Sequence, residues 1–217
     1  MKAIVMGGTS GIGKSIVDRL KKVCDKVIGV GRKDIDTTSL NSVRNFAKKN
    51  KGVDILVLNT GGPPDLQIED ISDQIWLENF NKLFLSFLTL TKEIGLKNNG
   101  YVFLISSYII KQPGKELIIS SSLRAGFVNL FKSLSKIYEK KKISFINIAP
   151  GPIKTKRLVN LLKKDNISIE EHAKTMPGKH IPSPDEIGLF VEFIVKNKIK
   201  SFNGVTIPFD SGLLEGI

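Results

Sequence analysis

A glycine-rich turn near the start of the chain has the residue types of a phosphate cradle. Residues 3–15 read Ala-Ile-Val-Met-Gly-Gly-Thr-Ser-Gly-Ile-Gly-Lys-Ser, an apolar strand that leads through a turn into a helix. Gly7 permits the tight turn, Gly11 lets the backbone approach a pyrophosphate, and Gly13 lets the helix pack closely on the strand. The helix N-terminus adds free N–H groups and a positive dipole end. Such glycine triplets also occur at ordinary strand-turn-helix corners. The residues at the other strand ends must therefore show whether this turn binds a phosphate.

Length and composition indicate the class of protein. The chain has 217 residues, 41% of them hydrophobic and 25% charged, which suits one large α/β domain. We expect no signal peptide and no membrane span, because polar residues and glycines interrupt every apolar run well before about 18 residues. Cys24 is the single cysteine in the sequence, so an internal disulfide is excluded and a cytoplasmic location is expected.

The chain is basic, with 33 Lys and Arg against 21 Asp and Glu and a formal net charge of +12. Such a charge could attract nucleic acid, a phosphorylated cofactor or an acidic carrier protein. The lysines are dispersed over helix ends and turns, and no segment interleaves them with aromatic residues as a single-strand binding groove does. We therefore expect solvated surface faces and no nucleic-acid partner.

Short apolar runs alternate with helical patterns along the whole chain. This alternation is typical of a parallel sheet covered on both faces, so it predicts a doubly wound (Rossmann) α/β fold in one domain, residues 1–217. Residues 31–36 leave little room for a third strand, which predicts a sheet trimmed at that edge. The polar, Lys-rich residues 155–184 predict a mobile lid-like segment. The predicted strands are 3–6, 26–30, 53–58, 101–105, 143–148 and 205–207.

The residues after these strands form five motifs in order. They are Gly7-x-x-x-Gly11-Ile12-Gly13, Asn59-Thr60-Gly61-Gly62, Ser106-Ser107, Asn147-Ile148-Ala149-Pro150-Gly151-Pro152-Ile153-Lys154-Thr155 and Phe209-Asp210-Ser211-Gly212. Ligands of open α/β sheets bind at the carboxyl ends of the strands. The set resembles the classical short-chain dehydrogenase/reductase family, particularly its β-ketoacyl-acyl carrier protein reductase-like branch, from end to end. The resemblance implies a nicotinamide dinucleotide cofactor.

The resemblance also implies which residues would hold this cofactor. The adenosine and pyrophosphate would contact Gly7, Thr9, Ser10, Gly11, Ile12 and Gly13. Asn59 and Gly61 would lie beside the adenine ribose, and Asp34 would bind the adenine amino group. The nicotinamide side would be lined by Pro150, Gly151, Ile153 and Thr155.

Arg32 indicates which cofactor is preferred. An acidic residue after the second strand would bind a ribose 2′-hydroxyl, whereas a planar guanidinium suits a 2′-phosphate. The chain has Gly31-Arg32-Lys33 at this place, which predicts NADP(H) over NAD(H). The alternative is that Arg32 and Lys33 only share the general basicity of the chain.

The expected catalytic set departs from the family pattern. In the family an Asn, a Ser, a Tyr and a Lys carry the chemistry. Ser107 matches the serine, but Ser120 stands at the tyrosine, Arg124 at the lysine and Leu83 at the asparagine. Serine is a much poorer acid than tyrosine, and arginine keeps its proton, so the ordinary proton donor is missing. Ser107, Ser120 and Arg124 remain the candidate catalytic residues, with Arg124 also a candidate cofactor contact.

Two tyrosines offer alternatives to the missing one. Tyr138 and Lys142 repeat the family spacing, but they lie at the wrong end of their helix for catalysis. Tyr108 follows Ser107 directly, and we expect it to be a packed aromatic residue, because neighbouring strand residues point to opposite faces.

These observations give two function hypotheses. The first is an NADP(H)-dependent reductase of a small-molecule carbonyl, conceivably a β-ketoacyl thioester, with water as the proton source. The second is a non-catalytic NADP(H)-binding redox sensor whose segment 155–184 is ordered by the cofactor. The apolar helices at 80–90 and 123–134 predict a homodimer or homotetramer. An anionic substrate is favoured by the basic residues Lys154, Lys156, Arg157, Lys163, Lys164, Lys174 and Lys179.

Overall fold

Six parallel strands form one sheet within residues 1–216, which the computed structural model describes. Every neighbouring pair in this sheet runs parallel, in the order β2-β1-β3-β4-β5-β6. The strands are β1 (Lys2–Met6), β2 (Lys26–Val30), β3 (Val53–Leu58), β4 (Leu96–Ile105), β5 (Ser144–Pro150) and β6 (Val205–Phe209).

Helices cover both faces of the sheet. They are α1 (Gly11–Leu20), α2 (Leu40–Lys49), α3 (Asp73–Phe80), α4 (Ser86–Glu93), α5 (Ile118–Ile137), α6 (Lys156–Lys164), α7 (Ile169–Thr175) and α8 (Pro184–Lys196). Helices α1 and α8 pack on one face, and α2, α4 and α5 pack on the other. A single π turn, Asn81–Leu85, joins α3 to α4. The prediction of a doubly wound α/β fold is confirmed.

The central strands β1, β3 and β5 consist mainly of apolar residues because both of their faces are covered. In β1, Ile4 and Met6 belong to the core under α2, α4 and α5, whereas Ala3 and Val5 belong to the core under α1 and α8. Successive side chains of a strand point to opposite faces, so a strand between two helical layers has no polar side. This arrangement fixes the carboxyl ends of the strands at one edge.

The sheet ends at β2, as the short connection at residues 31–36 predicts. These residues form a tight turn in which the Gly31 N–H donates to the Asp34 carboxylate at 2.7 Å, and the Asp34 N–H donates to the Gly31 carbonyl at 3.0 Å. The Ser39 hydroxyl then accepts from the Ser42 N–H and caps α2. No further strand forms beyond β2 in the described part of the chain.

The structure differs from the sequence-based expectation in the bounds of four strands, of which β1 begins one residue earlier, at Lys2. β4 begins at Leu96 instead of 101, and the pairing of β3 with β4 shifts register between Val53 and Ile55. β5 and β6 each extend two residues beyond the expected end. Residues 155–184 contain α6 and α7, and the mobility of this segment stays a prediction. Among the described helices, none has the length and apolar character to cross a membrane.

Candidate functional site

A cavity of about 1220 Å³ opens where the carboxyl ends of the strands meet. It is lined by residues that follow β1, β2, β3, β4 and β5, as well as by the start of α6. The structure therefore brings fifteen of the predicted site residues to one surface. They are Gly7, Thr9, Ser10, Gly11, Ile12, Arg32, Asn59, Gly61, Ser107, Ser120, Arg124, Pro150, Gly151, Ile153 and Thr155.

Two predicted cofactor residues, Gly13 and Asp34, do not line the cavity. A Cβ at Gly13 would lie 2.2 Å from the Gly7 carbonyl oxygen, so this glycine allows α1 to pack under the turn. The Asp34 carboxylate is engaged by the Gly31 N–H. Both residues support segments that line the cavity: Gly13 packs against Gly7, and Asp34 accepts a hydrogen bond from Gly31.

The glycine-rich turn lines the cavity on one side and packs against Asn59 on the other. Gly7 has a φ of +61° and Gly11 a φ of +53°, a region that favours glycine. A Cβ at Gly7 would lie 2.6 Å from Asn59 Nδ2, which itself donates to the Met6 carbonyl at 3.3 Å. The Ser10 side chain makes no capping bond, so the N-terminus of α1 presents free N–H groups to an anion.

Arg124 is a buried cation at the base of the cavity. Only 9% of the residue is exposed. Its Nε donates to Ser120 Oγ at 3.1 Å, and its Nη1 donates to the carbonyls of Ile105 and Ser106 at 3.2 and 3.3 Å. Burial, with a smaller effect of the Arg157 charge, lowers the pKa of Arg124 to about 10, so it stays protonated at neutral pH. Its Nη2 makes no hydrogen bond to residues 1–216.

Two hydroxyl groups accompany this cation. Ser120 Oγ accepts from Arg124, which leaves the hydroxyl proton free for another acceptor. Ser107 stands at the end of β4, where its Oγ accepts from the Ile109 N–H at 3.5 Å and caps a 3₁₀ turn. Both serines line the cavity, so the site offers two O–H donors and one fixed positive charge.

Tyr108 lines the same cavity, which the sequence-based interpretation did not expect. The rule of alternating faces does not apply to it, because β4 ends at Ile105 and a 3₁₀ turn begins at Tyr108. Tyr138, by contrast, lies outside the cavity and donates to the Thr91 carbonyl at 3.4 Å.

Sequence reasoning also missed Lys82. Leu83, at the asparagine position of the family pattern, is buried in the π turn with 2% exposure, whereas Lys82 beside it is half-buried. Burial lowers the pKa of Lys82, and three positive charges lower it further, namely those of Arg32, Arg124 and Arg157. These three arginines line the cavity, and their charges act on Lys82, which is not itself a lining residue. A π turn inside a helix is often a sign of a functional site.

Comparisons with known proteins agree with this geometry. The family model described as enoyl-(acyl carrier protein) reductase matches residues 14–214. The 3-oxoacyl-(acyl-carrier-protein) reductase FabG of Buchnera aphidicola subsp. Schizaphis graminum is 27% identical over 238 residues, covering 97% of this chain and 96% of that relative.

Two solved structures show the same fold. A short chain dehydrogenase family protein from Francisella tularensis has a TM-score of 0.85 and 22% identity, with 98% of each chain covered. L-sorbose reductase from Gluconobacter frateurii, complexed with NADPH and L-sorbose, has a TM-score of 0.85 and 21% identity, covering 100% of this chain and 97% of that one. With the family model matching nearly the whole chain, the protein belongs to the short-chain dehydrogenase/reductase family of oxidoreductases.

Proposed function

We propose that this oxidoreductase uses NADP(H) to reduce the carbonyl group of a small molecule, of which a β-ketoacyl thioester is one example. The observation that carries the proposal is the placement of Ser107, Ser120 and Arg124 in the same cavity as the glycine-rich turn. Bound in that cavity, the nicotinamide cofactor would supply a hydride. The chain must then position the carbonyl group and stabilise the charge that develops on its oxygen.

The shape of the cavity fits a dinucleotide. The free N–H groups of α1 would hold the diphosphate, because Gly7 and Gly11 leave the backbone accessible. Gly61 has no atom within 4 Å of a Cβ position, so a ribose has room beside it. The exposed Arg32 would hold a 2′-phosphate. The NADPH in the Gluconobacter L-sorbose reductase complex supports the choice of cofactor.

The nicotinamide side and the catalytic side would share the floor of the cavity. Pro150, Gly151, Ile153 and Thr155 follow β5 and line the wall where the nicotinamide would lie. The hydroxyls of Ser107 and Ser120 would donate to the substrate oxygen, and Arg124 would stabilise its negative charge through Ser120. Because neither serine nor arginine releases a proton at neutral pH, water delivers the proton.

The second candidate function is a redox sensor that binds NADP(H) without turnover. The observation that favours it is the structural use of Arg124, whose Nη1 already bonds two backbone carbonyls. In this case cofactor binding would order residues 155–184 for a partner protein. The helices at 80–90 and 123–134 would join copies of the chain into a homodimer or homotetramer under either function.

Turnover assays distinguish the two candidates. Oxidation of NADPH is followed with a panel of ketones, quinones and β-ketoacyl thioesters. We expect saturable turnover with at least one of them and a decrease in kcat of about 100-fold for Ser120→Ala, the typical cost of losing one oxyanion donor. Ser121→Ala is the matched control, because its hydroxyl bonds the carbonyls of Leu117 and Ile118 within α5. Saturable NADPH binding without oxidation would overturn catalysis and support the sensor.

A further inference from the structure

Four positively charged side chains come from four different elements, and three of them, Arg32, Arg124 and Arg157, line the cavity. Arg32 follows β2, Lys82 lies in the π turn, Arg124 is on α5 and Arg157 is on α6. They are close enough to act on one another, because the three arginines lower the pKa of Lys82 and Arg157 lowers that of Arg124. Within residues 1–216, none of the four forms an ion pair. Like charges without counter-charges are unfavourable unless an anionic ligand neutralises them.

The carboxylates that line the cavity do not balance this charge. Asp18 pairs with Lys14, and Asp185 pairs with Arg19, so both are already neutralised. Asp65 remains, and one carboxylate leaves a surplus of positive charge against these four cations and against Lys154 and Lys156, which also line the cavity. The site therefore carries an excess of positive charge that its own residues do not compensate.

Two of the four cations have no part in the proposed cofactor site. Arg32 is placed for the 2′-phosphate, and hydrogen bonds hold Arg124 beneath Ser120. Lys82 and Arg157 remain. They lie on elements that follow β3 and β5, the two strands on either side of β4, and Ser107 lies two residues beyond the end of β4.

Arg157 is held over the loop after β3. The Thr155 hydroxyl accepts from the Leu158 N–H and fixes the first turn of α6. From this turn the Arg157 guanidinium reaches the glycine pair after Asn59, where its Nη1 would lie 2.9 Å from a Cβ at Gly62. The guanidinium is exposed and makes no hydrogen bond to the described residues, so all of its donors are available.

We infer that Arg157 and Lys82 form an anion-binding subsite that holds the negatively charged group of the carbonyl substrate. The inference rests on the proposed function and names its substrate class, a ketone or thioester that bears a carboxylate or a phosphate. A planar guanidinium binds either group through two parallel hydrogen bonds, and a nearby ammonium adds a point charge. A neutral carbonyl compound would leave the repulsion among the cations in place.

Calorimetry with matched probes tests the subsite independently of turnover. Acetoacetate, dihydroxyacetone phosphate and the neutral ethyl acetoacetate are titrated into the protein, with and without saturating NADP⁺. We expect both anionic ketones to bind at least 10-fold more tightly than the ester, and the tighter of the two identifies the preferred anionic group. Equal binding of the ester and the anions would overturn the subsite.

Variants then assign the binding to these two residues. Arg157→Ala and Lys82→Met should each weaken binding of the anionic ketones at least 10-fold and change binding of ethyl acetoacetate and NADP⁺ less than 2-fold. Lys164→Ala removes the same charge from α6 at a position outside the cavity and should change none of these affinities. If Arg157→Ala weakens NADP⁺ as much as acetoacetate, the residue belongs to the cofactor site and the inference is wrong.

The same data separate the subsite from the proposed function. Selective acetoacetate binding without oxidation of NADPH in any assay supports the subsite and contradicts the reductase. Reduction of ethyl acetoacetate as efficiently as acetoacetate supports the reductase and contradicts the subsite.

Discussion

Arg124 Nε donates a hydrogen bond of 3.1 Å to Ser120 Oγ, and the two residues are one helical turn apart on α5. The family resemblance predicts that they stand at the positions of the family's lysine and tyrosine, in which case the pair would retain a positive charge beside a hydroxyl group and lack the acidic phenol. The fixed charge sits under a hydroxyl that faces the cavity. This geometry suits stabilisation of an oxyanion and not donation of a proton by the side chain itself.

Removal of the Arg124 charge should affect activity more than stability. We expect Arg124→Met to lower kcat at least 100-fold, since the oxyanion loses its charge partner. The free energy of unfolding should fall by no more than about 1 kcal/mol, because burying a cation without a counter-charge is itself costly. Denaturant unfolding and steady-state kinetics on the same variant test both statements. A loss of more than about 3 kcal/mol would mean that its bonds to backbone carbonyls are essential to the fold.

The pH dependence of reduction should be flat around neutrality. A base whose pKa is lowered to about 10 keeps its proton below that value and loses charge only as the pH rises through it. Serine does not titrate in this range, so kcat at saturating substrate should stay constant from about pH 6 to pH 9 and fall near pH 10. An inflection in kcat between about pH 7 and pH 8 would point to another group, and Lys82→Met is the next variant, because burial and the charges of three arginines lower the pKa of Lys82.

Arg32 should set the preference between the two cofactors. We expect Arg32→Asp to weaken NADP⁺ binding about 10- to 100-fold, the usual worth of a hydrogen bond to a charged group, and to improve NAD⁺ binding. Lys33→Asp makes the same change of charge one residue on, outside the cavity, and should have a much smaller effect. Calorimetric titrations of the three proteins with both cofactors give the six affinities. Tighter binding of NAD⁺ than NADP⁺ by the unmodified protein would contradict the prediction.

Two helical glycines should respond in opposite ways to alanine. A Cβ at Gly13 would lie 2.2 Å from the Gly7 carbonyl oxygen, so Gly13→Ala should destabilise the protein by about 1–3 kcal/mol through overpacking. A Cβ at Gly126 on α5 would have its nearest neighbour at 3.6 Å, so Gly126→Ala should stabilise by about 0.5–1 kcal/mol. Thermal and denaturant unfolding of both variants provide the test. An equal change in both would show that close packing under the turn is unimportant.

Light scattering over a range of concentrations should show a mass of two or four chains. The apolar residues at 80–90 and 123–134 serve in part to pack α4 on α5, as the edge-to-face contact of Phe87 and Phe127 at 5.6 Å shows. Partly buried residues such as Leu88 and Leu130 lie beside this contact and would be covered further in an oligomer. A monomer at every concentration would contradict the prediction.

Much of the fold could be predicted from local sequence. The apolar runs identified all six strands, because a strand that is covered on both faces consists mainly of apolar residues and stands out in the sequence. The short connection at 31–36 correctly predicted the trimmed edge. The bounds of β4 were less accessible, because its first residues pair with β3 across a register shift that involves Val53, more than forty residues away in sequence.

The candidate site divides in the same way. Glycine, proline and polar residues in the sequence identified the glycine-rich turn and the other strand ends. Because the strands are parallel, their carboxyl ends lie at one edge of the sheet. That sequence information determined the family, the fold and fifteen of the cavity residues. It did not determine where individual side chains of these segments point.

The tertiary structure alone decided the remaining features. Tyr108 lines the cavity because β4 ends at Ile105 and a 3₁₀ turn begins at Tyr108. Lys82 is half-buried in the π turn, where the charges of three cavity-lining arginines lower its pKa. Arg157 could be recognised as a candidate anion-binding residue only from its position over the loop at Gly62, which the sequence does not reveal. Local sequence encodes periodicity and turns, whereas the end of a strand and the register of a helix depend on packing partners far away in the chain. The sequence by itself thus determined which residues reach the site, and tertiary packing decided which charges meet there.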